Sequence, residues 1–172
     1  MIKEHAENPV LKSKHNQFNY MAPDKTFFDF VIKHEGCKLT AYKDSAGIWT
    51  IGIGTILYES GAPVQPGDVI TQDRADQLLL GEVLKKAHGI DVALSKVNLT
   101  QNQYNALLSF AYNEGIGALL SSSLLKKVKA NTSDPTIRDS FMVWDKAHVN
   151  GVLVEVQGLK NRRKDEADLY FS

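Results

Sequence analysis

Apolar residues recur at helical spacing from Asp24 onwards, after a polar stretch that lacks such a pattern. The first periodic run predicts a helix over residues 25–35. Its apolar face is formed by Phe27, Val31 and His34, with Phe30 beside them. Thr26 and Asp29 have the spacing of a capping box, and Gly36 is a typical helix stop.

Two short β-prone runs, residues 39–43 and 48–53, follow this helix and predict a β-hairpin. Residues 44–47 between them have Asp first and Gly fourth, which favours a type I turn. The expected cross-strand pairs are Lys43 with Ile48, Tyr42 with Trp49 and Ala41 with Thr50. One face would then be small and polar, whereas the other would carry Tyr42, Trp49 and Ile51.

The remainder of the chain is predicted to be a loop followed by helices. Residues 56–70 contain two prolines and two glycines, which predict a loop with room for one short strand. Thr71 caps the next helical run, and Thr100 with Gln103 forms a capping box for another. Further helices are expected near residues 121–130, at 135–147 after the start signal Asp134-Pro135, and at 158–170.

This order of elements predicts an α+β fold. An N-terminal helix and a small β-hairpin lobe precede a larger helical lobe, with the β elements segregated. Residues 1–23, which include Pro9 and Pro23, are predicted to be a polar tail or linker. Residues 24–172 are predicted to form one folded domain.

The composition narrows the possible partners. The 172 residues include 20 Lys plus Arg and 20 Asp plus Glu, so the formal net charge is zero. Nucleic acid is not the expected partner, because proteins that bind it concentrate positive charge. No run approaches the roughly 18 apolar residues of a membrane span, and residues 1–10 lack the apolar core of a secretory signal. We therefore expect no stable membrane insertion.

Cysteine and histidine usage disfavours a disulfide framework and a zinc site. Cys37 is the one cysteine, so a monomer would have no intramolecular disulfide. No two histidines have metal-ligand spacing; the five are His5, His15, His34, His88 and His148. We expect neither a metal nor a cofactor.

Glu35, the last residue of the first predicted helix, is a candidate general acid. A carboxyl there faces the negative end of the helix macrodipole, and the upstream apolar residues add desolvation. Both effects favour the protonated form that can donate to a leaving oxygen. The alternative is a solvated Glu balanced by Lys33 and Lys38.

Asp44 and Thr50 are weaker candidates when each is taken alone. Asp44 also suits an Asp-x-x-Gly turn, and Thr50 also suits a strand. Together with Glu35 they would place two carboxyls and a water-holding hydroxyl beside a cleft. Two carboxyls beside a cleft are the general pattern for glycoside hydrolysis.

The last predicted helix has two arginines on its apolar face. That face is formed by Leu159, Arg162, Arg163, Glu166, Leu169 and Tyr170. An inward arginine needs a carboxylate or carbonyl partner, and Glu35 or Glu166 is of the right type. Alternatively, both arginines extend over their aliphatic stems to solvent.

These residues resemble a known family. The run His34-Glu35-Gly36, Leu39, Ala41-Tyr42-Lys43-Asp44, Gly47 and Trp49-Thr50-Ile51-Gly52-Ile53-Gly54 resembles the phage-type lysozymes, the endolysins of glycoside hydrolase family 24. The spacing of Glu35, Asp44 and Thr50 matches their catalytic Glu/Asp/Thr constellation. The resemblance continues through residues 102–117 to Gly158-Leu159-Lys160-Asn161-Arg162-Arg163, similar to the family's Gly-Leu-x-x-Arg-Arg ending, and covers about residues 25–171.

The resemblance implies a lysozyme-like fold with the active-site cleft between the two lobes. It also implies hydrolysis of the β-1,4 bond between N-acetylmuramic acid and N-acetylglucosamine in peptidoglycan, and hence cell-wall lysis. Glu35 would be the general acid, Asp44 would stabilise positive charge on the sugar or help activate the nucleophile, and Thr50 would position the attacking water. Arg162, or secondarily Arg163, would orient Glu35 as its ion partner.

The resemblance implies further groove residues and one departure. Ile56, Tyr112, Asn113 and, by a looser match, Ser123 would bind the substrate. Tyr112 could equally belong to the core, and Asn113 could be a helix-end polar residue. Thr55 stands where the family usually has His, so we expect altered local packing or pH response with activity kept.

Peptidoglycan glycan strands are the implied partner, bound by a monomer. The protein would be made in the cytoplasm of a bacterial host and act on peptidoglycan in the periplasm or cell wall, by an export route left open. Two other functions remain. A lytic transglycosylase cleaves the same bond with one Glu and an internal sugar hydroxyl, and a catalytically silent domain would only bind glycan.

Overall fold

The computed structural model describes residues 21–44, 46–149 and 151–172. Within these residues the chain forms, in order, α1 (Lys25–Glu35), β1 (Lys38–Lys43), β2 (Trp49–Gly52), α2 (Gln72–Ala93), α3 (Gln101–Glu114), α4 (Ile116–Ser121), α5 (Ser123–Ala130), α6 (Ile137–Met142), β3 (Lys146–Val149), β4 (Val152–Glu155) and α7 (Gln157–Tyr170). The predicted α+β fold, with a small β-hairpin lobe and a larger helical lobe, is confirmed.

The helical lobe is built around α3. Eight consecutive α3 residues, Tyr104 to Ala111, are buried, and the helix packs against α1, α2, α4 and α7. Phe27 and Val31 of α1 are fully buried in the same core. This burial anchors α1 and so fixes the position of its last residue, Glu35.

The caps of α2 and α3 follow the sequence signals, whereas that of α1 does not. Thr71 caps α2 by accepting a hydrogen bond from the backbone N–H of Arg74, and Thr100 with Gln103 forms the predicted capping box of α3. The cap of α1 is Asp24, whose Oδ1 accepts from the Phe27 N–H at 3.2 Å. The capping box predicted from Thr26 and Asp29 is wrong, because α1 begins at Lys25 and Thr26 therefore lies inside the helix.

The first hairpin has a different register from the predicted one. Asp44 pairs with Ile48 through a 3.0 Å hydrogen bond from the Asp44 N–H, so the loop has three residues. Gly47 closes this loop with a φ of 81°, the left-handed conformation that glycine allows without strain. Ser45 lies outside the described residues.

This loop shifts the pairing by one residue. The partners are Tyr42 with Thr50 and Lys43 with Trp49, and an irregularity follows between Tyr42 and Lys38. Tyr42 therefore shares a face with Thr50, and its predicted pairing with Trp49 is wrong.

The segment before the last helix also differs from the prediction. The helix expected over 135–147 is limited to α6, and a second hairpin of β3 and β4 follows it. All four residues of β4 are exposed, so this strand lacks the buried alternating face that would reveal it in the sequence. The prediction that every element after Thr71 is helical is wrong here.

The predicted tail lies mostly outside the described residues, which begin at Met21. Met21 packs against the core, and the Ala22 carbonyl accepts a 2.9 Å hydrogen bond from the Gln101 side chain. The domain's contacts thus begin slightly before residue 24. Among the described residues, none of the helices has the length and apolar character needed to cross a membrane.

Candidate active site

Glu35 ends α1, and Gly36 follows it as the helix stop. Its side chain is 26% exposed, and its Oε1 accepts a hydrogen bond from Nη1 of Arg162 on α7. Arg162 is therefore the arginine that reaches Glu35. The carboxyl remains accessible to a ligand through its exposed part.

Arg162 is itself held by buried groups. Its side chain is 5% exposed. Its Nε lies 3.3 Å from Oε1 of Glu166, and its Nη2 donates to the Ser109 hydroxyl at 3.5 Å. Ser109 in turn donates to Glu166 Oε1 at 2.7 Å. These contacts fix the guanidinium that contacts Glu35.

Arg163 serves a different set of partners and is fully buried. It donates to Glu114 at 2.6 Å, to Asn113 Oδ1 at 2.8 Å and to Glu166 Oε1 at 3.0 Å. Its Nε also lies 2.8 Å from Glu166 Oε2, without the alignment of a hydrogen bond. Both arginines point inward, so the alternative in which they extend to solvent is wrong.

Glu166 connects the two arginines in the core. Burial raises the pKa of its carboxyl, and the charges of Arg163 and Arg162 oppose that shift. A buried carboxyl of this kind is tolerated because donors surround it. Glu166 is thus the centre of the ion-pair cluster behind Glu35.

Asp44 and Thr50 lie on the first hairpin, as their spacing predicts. Oδ1 of Asp44 accepts from the backbone N–H groups of Ala46 at 2.8 Å and Ile48 at 2.9 Å. The Thr50 hydroxyl donates to the Ile48 carbonyl at 3.1 Å, and Thr50 is buried. The hairpin loop therefore sets the orientation of both side chains.

A cleft of about 430 Å³ opens beside Glu35. It contains three of the four predicted substrate-binding residues, Ile56, Tyr112 and Asn113. Asp44, Thr50 and Ser123 are not among its lining residues, and Ser123 is exposed at the start of α5. The cleft residues come from α1, α2, α3 and the segment after β2.

Tyr112 joins the helical lobe to the hairpin lobe. Its hydroxyl donates to the Ile53 carbonyl at 2.8 Å, and burial raises the pKa of the phenol. Tyr112 packs against the core and also lines the cleft, so its role in substrate binding stays a prediction beside its place in the core. Asn113 faces the cleft while its Oδ1 is bound by Arg163.

Sequence reasoning missed two ionisable cleft residues on α2, Glu82 and Lys86. The ammonium of Lys86 lies 5.1 Å from the centre of the Tyr112 ring. Their spacing of four residues places both on one face of a helix, but nothing in the sequence connects that face with Glu35. Thr55 also lines the cleft and is buried, with a two-way backbone bridge to Ile51.

His34 precedes Glu35 and packs on the Phe30 ring. Its Nε2 lies 3.1 Å from Asp165 Oδ2. Burial lowers the pKa of this imidazole, the positive charge of Arg162 lowers it further, and Asp165 acts in the opposite direction. Among the residues that the structure describes, no group of three or more His, Cys, Asp or Glu side chains could hold a metal ion.

The carboxyl at the end of the first helix is bound by an arginine of the last helix and lies beside the small β lobe, in a fold of the lysozyme type. The chain belongs to the phage lysozyme family, whose family model matches residues 32–166.

Individual relatives agree with this family. The endolysin of Acyrthosiphon pisum secondary endosymbiont phage 1 is 37% identical over 142 residues, which is 83% of this chain and 92% of that protein. The endolysin of Bacillus phage B103 is 37% identical over 146 residues, 84% of this chain but 52% of that protein, so the chain spans about half of it. The solved endolysin from Escherichia coli O157:H7 phage FAHEc1 has a TM-score of 0.85 and 40% identity, covering 90% of this chain and 96% of that one. The chain is a peptidoglycan hydrolase of the lysozyme type.

Proposed function

We propose that this protein is a muramidase that cleaves the β-1,4 bond between N-acetylmuramic acid and N-acetylglucosamine and thereby lyses bacterial cell walls. The observation that carries the proposal is the partly exposed Glu35 carboxyl beside the cleft, held from behind by buried Arg162. The site of action would be peptidoglycan in the periplasm or cell wall.

Glu35 is the proposed general acid. Arg162 binds Oε1, which leaves Oε2 as the oxygen to carry the proton towards the leaving group. Arg162, which is itself buried, holds the carboxyl in place beside the cleft. Arg162 is therefore the residue that orients the acid.

Thr50 is the proposed water-positioning residue. Because its hydroxyl hydrogen is donated to the Ile48 carbonyl, its oxygen has lone pairs left to accept a hydrogen bond from water. A water that donates to Thr50 keeps its own lone pair available for attack on the sugar. The hydroxyl thus selects the orientation of the nucleophile.

Asp44 is the proposed second carboxylate. Both of its backbone hydrogen bonds are accepted by Oδ1, and Oδ2 has the capacity to accept others. It would stabilise positive charge on the sugar or take a proton from the attacking water. An inverting route requires about 6.5 to 9.5 Å between the two carboxyls, and a separation near 5 Å would indicate a covalent intermediate.

The proposed groove residues extend the site along the glycan. Ile56 is 43% exposed and offers an apolar surface to a sugar ring. Asn113 retains its amide N–H groups for a sugar oxygen, because Arg163 occupies its Oδ1. Ser123 would lie further along the groove.

Mass spectrometry of the soluble products tests this function. Purified protein incubated with peptidoglycan should release fragments that have gained one water at each cut. Anhydro-muramic products would instead identify a lytic transglycosylase. Binding to peptidoglycan with no released fragments would identify a catalytically silent domain. Either of these results would contradict the proposal.

A further inference from the structure

The cleft contains a cation that the proposed hydrolysis does not use. Its acidic and basic lining residues within the described part of the chain are Glu35, Glu82 and Lys86, so Lys86 is the one cation among them. Cleavage of a glycosidic bond requires an acid and a positioned water, and neither role needs an ammonium. The position of Lys86 therefore calls for a separate explanation.

Lys86 is weakly engaged within the protein. Its Nζ lies 3.7 Å from Glu82 Oε2, beyond hydrogen-bond distance. Glu82 is bound more closely by Lys85, whose Nζ lies 2.6 Å from Oε1. An anion from a ligand can approach Lys86 while Glu82 keeps its pair with Lys85.

Tyr112 places this ammonium in the same site as the proposed acid. Lys86 Nζ lies 5.1 Å from the centre of the Tyr112 ring, and both residues line the same cleft as Glu35. The ring restricts the lysine to the cleft wall, and the Lys86 side chain is 23% exposed. Partial burial makes its interaction with an anion stronger than that of a fully exposed lysine.

We propose that Lys86 is a specificity-determining residue that binds a substrate carboxylate in the cleft. This inference rests on the proposed muramidase function, because the carboxylate is one carried on N-acetylmuramic acid. It is the free lactyl carboxylate of an unsubstituted sugar or a carboxylate of the attached peptide. Lys86 thereby favours peptidoglycan over neutral glycans of the same β-1,4 backbone.

Steady-state kinetics on three substrates test the inference. These are peptidoglycan with its peptides, glycan strands stripped of peptides by an amidase, and a neutral N-acetylglucosamine oligomer. Lys86→Gln should raise KM about three- to tenfold on a carboxylate-bearing substrate, with kcat nearly unchanged. The charge-retaining Lys86→Arg should recover most of the loss. If KM increases for the peptide-bearing peptidoglycan alone, the carboxylate that Lys86 binds belongs to the peptide. If KM also increases for the stripped strands, the carboxylate belongs to the lactyl group.

Salt dependence and a matched variant complete the test. The KM of the parent should rise with ionic strength more steeply than that of Lys86→Gln, because the variant has lost the screened attraction. Lys96→Gln makes the same charge change at an exposed turn outside the cleft and should behave as the parent.

Equal KM values for parent and Lys86→Gln on both anionic substrates would overturn the inference. An increase in KM of the same size on the neutral oligomer would also overturn it. An inactive parent would instead contradict the muramidase proposal.

Discussion

The guanidinium of Arg162 binds the carboxylate of Glu35 across 127 residues of sequence, joining the last helix to the end of the first. Arg162 is in turn bound to Glu166 and Ser109 in the core. The proposed acid is therefore held by a buried polar cluster on one side, and its other side faces the cleft.

Replacement of Glu166 by Gln should strongly destabilise the protein. The change removes one charge while Arg162 and Arg163 remain buried, and breaking a buried ion pair costs about 3–5 kcal/mol. Urea denaturation should show this loss in the free energy of unfolding. The remaining folded enzyme should also lose activity, because Arg162 loses the partner that fixes it behind Glu35.

Asp168→Asn is the matched control on the same helix. Asp168 forms ion pairs with Arg138 and Lys164, but its side chain is 46% exposed, so its loss should cost less than about 1 kcal/mol. If both substitutions had similar small effects, Glu166 would not have the structural role assigned to it.

Two glycines of α2 should respond to alanine with opposite signs. A Cβ at Gly89 would lie 2.7 Å from Ile116 Cγ1 on α4, whereas a Cβ at Gly81 would meet no atom within 4 Å. Gly89→Ala should therefore destabilise by about 1–3 kcal/mol through overpacking. Gly81→Ala should stabilise by about 0.5–1 kcal/mol through helix propensity. Thermal unfolding of the two variants measures both changes, and a stabilising Gly89→Ala would disprove the close approach of α2 and α4.

His34 should make the stability depend on pH below neutrality. Burial and the charge of Arg162, with a smaller effect of Lys33, lower its pKa from the ordinary value of 6.5, against the influence of Asp165. The unfolded chain therefore binds more protons than the folded chain at pH values near the pKa of His34. The stabilisation that neutral His34 contributes is complete above about pH 6.5, and it is lost as the pH falls through the folded-state pKa.

Urea unfolding between about pH 7.5 and pH 5 measures this dependence. His34→Gln should reduce the fall in unfolding free energy towards acid pH. His148→Gln removes an exposed histidine of β3 and should leave the fall unchanged. If the unfolding free energy of His34→Gln fell with decreasing pH as steeply as that of the parent, the His34 imidazole would not be the group that causes the pH dependence.

Two substitutions of Thr50 test whether its hydroxyl orients the attacking water. Thr50→Val keeps the shape of the side chain but removes the oxygen, so kcat should fall by at least about tenfold with little change in KM. Thr50→Ser keeps the oxygen and should retain much of the parent activity. Equal activity of the Val and Ser variants, measured by release of reducing sugar, would remove Thr50 from the mechanism.

Local sequence signals predicted most helices but led to the wrong hairpin register. The caps at Thr71 and Thr100 and the stop at Gly36 involve contacts within one helical turn, which spacing alone reveals. An Asp-x-x-Gly turn is compatible with a two-residue or a three-residue loop, and each loop gives a different pairing. The observed three-residue loop consequently moved Tyr42 to the face of Thr50.

The second hairpin had a sequence signal that the helical interpretation overlooked. Asn-Gly between β-prone residues is a strong indicator of a two-residue hairpin loop, and residues 150–151 have this dipeptide. β3 and β4 pair on either side of it, with Val149 opposite Val152; residue 150 itself lies outside the described residues. The strong helix start at Asp134-Pro135 favoured a longer helix than the chain forms.

The candidate site was predictable only in part. The spacing along α7 predicted that Arg162, Arg163 and Glu166 share a face, since that relation is local to one helix. Which arginine reaches Glu35 depends on how α1 and α7 each pack against α3, and this packing is set by contacts distant in sequence. Lys86 was missed for the same reason, because α2 meets the cleft only in the folded chain.

The most direct test of the account compares hydrolysis and binding in Glu35→Gln. The amide has no acidic proton to donate, so turnover of peptidoglycan should fall by at least about 100-fold, while cosedimentation with insoluble peptidoglycan remains close to that of the parent. Glu59→Gln, the same substitution at an exposed residue paired with Arg74, should leave both properties unchanged. Undiminished hydrolysis by a folded Glu35→Gln protein would contradict the assignment of Glu35 as the general acid.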